Sequence, residues 1–96
     1  MKKDNSKKPL ASDVAAWMLA EFEREGLLYQ ETVVYDIEAR FGEEFTYINE
    51  NGNLAIGRDV LKEFRKLTEK TVVWDRRERY WRKREDFDPA DRRQTE

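Results

Sequence analysis

The residues of this 96-residue chain best placed to do chemistry are cationic. Arg76, Arg77, Arg79, Arg82, Lys83 and Arg84 put six basic side chains within nine positions, with Tyr80 and Trp81 between them. A guanidinium is a planar fork that donates two parallel hydrogen bonds, which matches a phosphate or the edge of a guanine. Asp75, Glu78 and Glu85 punctuate the run. Cross-strand ion pairs, or an edge kept charged against aggregation, would explain the same residues without any ligand.

Other chemistries find less to work with. The chain has no Cys and no His, so thiolate nucleophiles, zinc–thiolate sites and imidazole bases are excluded. Glu43, Glu44, Asp86 and Asp88 could pair carboxylates, but they fall in loop or tail sequence with no apolar setting to raise a pKa. No nucleophile elbow, phosphate loop or glycine-rich fingerprint is present, and the expectation is a protein that is not an enzyme and has no cofactor. The Asn49–Asn53 segment invites a calcium-loop alignment with Gly52 at the sixth position. That alignment puts Tyr47 and Arg58 where carboxylates are required, so turns closed by Asn side chains are expected instead, with no metal. Trp17, Trp74 and Trp81 could stack on bases, but their spacing favours core positions, which leaves Tyr80 as the better exposed aromatic.

The elements that must carry these residues follow from periodicity. Val14, Trp17, Met18 and Phe22 recur at helical spacing, with Leu19 widening the stripe, Ser12 as the expected N-cap and Gly26 as the C-cap. The first helix is expected over about 13–25. Leu27, Leu28 and Tyr29 read as a brief strand. A second helix, about 31–41, buries Val33, Val34, Ile37 and Phe41, turns Glu31, Asp36 and Glu38 outward, and ends at Gly42. Residues 43–56 fit a short hairpin turning at Asn51-Gly52, or an ordered Ω-like loop, with the hairpin preferred. A third helix starts at Gly57 or Arg58 and runs to about Thr68, with Val60, Leu61, Phe64 and Leu67 as its buried stripe. Thr71–Trp74 and Tyr80-Trp81 are β-branched and aromatic. A two- or four-residue loop centred on Arg76-Arg77 would join them and put Val72 and Trp74 on the face of Trp81, with Val73 and Tyr80 on the other.

Length and composition allow one domain with a modest core and a heavily charged surface. Residues 1–10 read as a flexible basic tail, 11–85 as the domain and 86–96 as a polar tail in which Phe87 is the one anchor. The net charge of −2 hides polarity: residues 11–50 carry −8 and residues 58–84 carry +6. No apolar run is long enough to span a bilayer, and the lysines of residues 1–9 precede none, so a cytoplasmic protein without membrane contact is expected.

The order helix, strand, helix, helix, two-stranded ribbon resembles the winged-helix family over residues 12–84. The resemblance implies an α+β fold of three helices, a small antiparallel sheet and a C-terminal ribbon, the wing. It also implies nucleic-acid contact by the third helix through Arg58, Lys62 and Lys66, and by the wing through Arg76, Arg77 and Arg79, with Arg82 continuing the run. One feature departs from the pattern: about fourteen residues, 43–56, separate the second and third helices, where a turn of three or four is usual. Asp59, Glu63 and Glu69 also favour an ion-paired, solvated face on the third helix. YINENGNLAI at 47–56, VLKEF at 60–64 and the VVWDRRERYWRKR ribbon further resemble small bacterial proteins of unknown function, some carried on mobile integron gene cassettes. The resulting expectation is a non-catalytic binding module that contacts nucleic acid through the arginine-rich wing. The alternative is a protein-interaction module or homodimer, in which the acidic 11–50 surface meets the basic 58–84 surface. A sequence pI near 5.4 weighs against generic DNA binding, though not against a focused basic stripe.

Overall fold

The computed structural model describes residues 8–85; the expected tails, apart from residues 8–10, and Phe87 lie outside the described residues. Helix α1 spans Ala11–Glu25 and buries Val14, Ala15, Met18 and Phe22. Its N-cap is Leu10 rather than the expected Ser12, which sits exposed in the first turn. The reason is Asp13, whose Oδ2 accepts the Leu10 N–H at 2.7 Å. That bond uses only the backbone of the capping residue, so a leucine can fill the position. Gly26 closes the helix in the left-handed region (φ 86°), donating its N–H to the Phe22 carbonyl.

Strand β1 (Leu27–Tyr29) runs directly into α2 (Gln30–Phe41), which buries Val33, Val34 and Ile37. The long connection that follows is ordered. A 3₁₀ turn at Glu43–Phe45 buries Phe45, and β2 (Thr46–Ile48) then pairs antiparallel with β3 (Leu54–Ile56), the hairpin rather than an open loop. Asn49 organises its tip. Its Oδ1 accepts the N–H groups of Asn51 (2.9 Å) and Asn53 (3.0 Å), and Gly52 supplies the positive φ (83°).

Helix α3 (Arg58–Thr68) starts where Gly57 donates its N–H to the Phe45 carbonyl at 2.7 Å. Its buried residues are Val60, Phe64 and Thr68, with Leu61 half-buried. Leu67, expected in the stripe, is 49% exposed. The core lies along the i, i+4, i+8 ridge, and Thr68 can occupy it because its hydroxyl donates to the Phe64 carbonyl at 2.7 Å.

Strands β4 (Val72–Asp75) and β5 (Tyr80–Lys83) form the ribbon, and β1 pairs with β5 to give a sheet of order β1-β5-β4, antiparallel throughout. The connecting loop is 76–79, one residue later than expected. Asp75 fixes it: its Oδ1 accepts the Glu78 N–H and its carbonyl accepts the Arg79 N–H at 2.7 Å. The pairing moves by an even number of residues, so the faces stay as expected. Leu28, Trp81 and Trp74 lie in register on the core side, and Trp81 meets Phe64 edge-on with ring centroids 5.3 Å apart. The core joins all three helices to this sheet, with α1 packed chiefly on α3 and α2 on the β2–β3 hairpin. The result is an α+β fold of three helices and small antiparallel sheets, compatible with a winged-helix-like arrangement.

Candidate functional site

The ribbon sets the geometry of the basic residues. Asp75 and Tyr80 are its last register pair, so Arg76, Arg77 and Arg79 occupy the turn itself, all exposed. None of the three makes an ion pair among the described residues. Arg79 is held with φ 61°, the one left-handed non-glycine residue described. Such a conformation costs about 1–2 kcal/mol for an L-residue with a Cβ. Its carbonyl accepts the Gln30 N–H at 3.2 Å, which ties the turn to the start of α2. The tip therefore adjoins α2 and the Asn49–Asn53 loop. A groove there is lined by Gln30, Glu31 and Tyr35 of α2, Gly52 and Asn53 of the loop, and Arg79.

Further down the ribbon Lys83 is exposed and the two arginines are engaged. Arg82 donates to the Lys83 carbonyl (3.2 Å) and Arg84 to the Glu69 carbonyl (3.4 Å), the latter linking the base of the ribbon to the end of α3. The α3 residues are spread along the helix. Arg58, at its N-terminal end, lies over the Tyr47 ring at 5.8 Å, beside the β2–β3 hairpin. Lys66, eight residues on and thus roughly 12 Å along the axis, pairs with Glu63 at 3.2 Å. Lys62 is exposed between them. The structure thus brings Arg76, Arg77 and Arg79 together at one tip, while Arg58 stands at the opposite end of α3 from the base of the ribbon.

Sequence reasoning missed two features of this region. One is the groove, whose residues come from three segments far apart in the chain. The other is a pair of rings. Tyr29 on β1 and Tyr80 on β5 are register partners on the sheet face away from the core, stacked with centroids 5.0 Å apart and planes 15° from parallel. Alternation with Trp81 marked Tyr80 as outward. Tyr29 gave no such sign, because its partner depends on β1 joining β5.

A second groove lies on the far side of Tyr29, between the end of α1 and α2. Glu21, Arg24, Glu25 and Asp36 line it together with Leu28 and Val33. Arg24 bridges Glu21 and Glu25, the latter at 2.6 Å. Among the described residues no group of three or more His, Cys, Asp or Glu is placed to hold a metal ion, and no helix is long and apolar enough to cross a membrane.

The model of a family of unknown function (DUF6953) matches residues 10–83, from the α1 cap to the last residue of β5. The chain belongs to that family. The DUF6953 match thus covers every helix and strand described above, and it brings no activity with it. No curated protein and no solved structure matches the chain.

Proposed function

We propose that this protein is a non-catalytic binding module of winged-helix-like fold that contacts nucleic acid through the tip of its β4–β5 wing. The observation that carries the reading is the cluster of three exposed arginines, Arg76, Arg77 and Arg79, confined to a four-residue turn without carboxylate partners among the described residues. Three guanidinium groups on one turn, without ion pairs among the described residues, repel one another, and a phosphate backbone relieves that repulsion. The sheet order β1-β5-β4 supports the wing assignment, since the first strand flanks the ribbon. The contribution of α3 is secondary: Lys62 is open to solvent, whereas Arg58 and Lys66 have local partners.

The test is fluorescence anisotropy with labelled DNA at two salt concentrations, repeated with R76E/R77E/R79E. Binding that weakens steeply with salt and disappears in the triple variant supports the reading. No binding at low salt, or equal binding by the triple variant, rejects it.

A protein partner is the second reading, favoured by the groove in which Asp36 stands with the net-acidic Glu21–Arg24–Glu25 cluster. A second copy could seat its wing there, given the −8 of residues 11–50 and the +6 of residues 58–84. Light scattering decides this form of it: a dimer lost in 0.5 M salt and in D36K supports self-association, and a monomer at all concentrations rejects it.

A further inference from the structure

We propose that the stacked pair Tyr29–Tyr80 is a platform for an unpaired base, so that the nucleic acid taken by the wing is single-stranded. The inference rests on the proposed phosphate contacts of Arg76, Arg77 and Arg79, and it assigns a ligand class to that same site. Tyr80 follows Arg79 directly and is paired in register with Asp75, the residue before Arg76, so the rings sit immediately beneath the arginine turn. Tyr29 is 45% exposed although it belongs to a strand, and its ring is already held nearly parallel to that of Tyr80. Both rings are on the sheet face opposite Trp81, and the core does not use them.

An exposed aromatic held by a rigid neighbour loses little freedom when a base is added to the stack, and every base has a π-face to offer. A strand whose phosphates lie on the turn places its bases within reach of these rings only if they are unpaired, since in a duplex both faces of each internal base are already covered. The surroundings point the same way. The groove that Tyr29 lines carries Asp36 and the Glu21–Arg24–Glu25 ion-pair cluster, and the groove beside the tip carries Glu31. Of these carboxylates, Glu31 and Asp36 have no ion-pair partner among the described residues, and their charge opposes the second backbone of a duplex.

Labelled dT15, a 15-base-pair duplex and an abasic 15-mer of the same length serve as probes, with anisotropy as the readout. Wild-type protein is expected to bind dT15 more tightly than either the duplex or the abasic strand. Y29L is expected to lose roughly tenfold on dT15 and nothing on the abasic strand, while Y29F retains wild-type affinity for both. The abasic comparison uses the intact protein, so it stands even if Y29L folds poorly. Equal affinity for dT15 and the abasic strand, or tighter binding of the duplex, overturns the stacking inference. If R76E/R77E/R79E still abolishes binding in that case, the wing reading survives without it. If the triple variant binds dT15 like wild type, the wing reading fails and the inference with it.

Discussion

Arg79 shows at the scale of one residue how the tip departs from what stability alone would choose. A glycine would fit its left-handed backbone without penalty, yet an arginine stands there. R79G is therefore expected to leave stability unchanged or raise it by up to about 1 kcal/mol, while weakening DNA binding. Chemical denaturation and anisotropy measured on the same preparation check both halves, and a clear loss of stability would show that the arginine serves the fold. Gly57 illustrates the opposite case. Its φ is ordinary (−55°), but a Cβ would lie 2.9 Å from the Phe45 carbonyl oxygen, the acceptor of the Gly57 N–H. G57A should cost about 1–3 kcal/mol in urea denaturation by pushing that carbonyl out of its hydrogen bond. Neither constraint is visible in the sequence, because both depend on where another segment's backbone lies.

At the scale of the element, the segments with strong periodicity were legible and their edges less so. Asn51-Gly52 identified the hairpin because that pair favours positive φ, and the Asn49 side chain then closes the loop as its chemistry suggested. Leu67 was misplaced because hydrophobicity alone marked it, whereas the core runs along the ridge that ends at Thr68. Two substitutions separate these stripes. F64A should destabilise by about 3–5 kcal/mol, whereas L67K should stay within about 0.5 kcal/mol of wild type. Comparable losses for the two in a denaturant series would restore Leu67 to the core. The loop lies one residue later than its sequence suggests and the register shifts by two, since nothing in DRRER announces that Asp75 accepts two backbone N–H groups and so belongs to the strand.

Across the whole molecule, composition excluded cysteine and histidine chemistry and revealed the split between acidic and basic halves. It could not say which cations are free, because that depends on which carboxylate each one meets after folding. Lys66 found Glu63, Arg58 found a ring, and the three tip arginines found no partner among the described residues. Salt dependence tests this assignment most directly, since each phosphate neutralised by a cation adds roughly 0.7–0.9 to the slope of log K against log salt. The measurement is that slope for wild type, R76Q, R77Q, R79Q and K66Q on one DNA probe. The account predicts that each wing variant flattens the slope by nearly one and that K66Q leaves it as it was. Unchanged slopes in all three wing variants would contradict it.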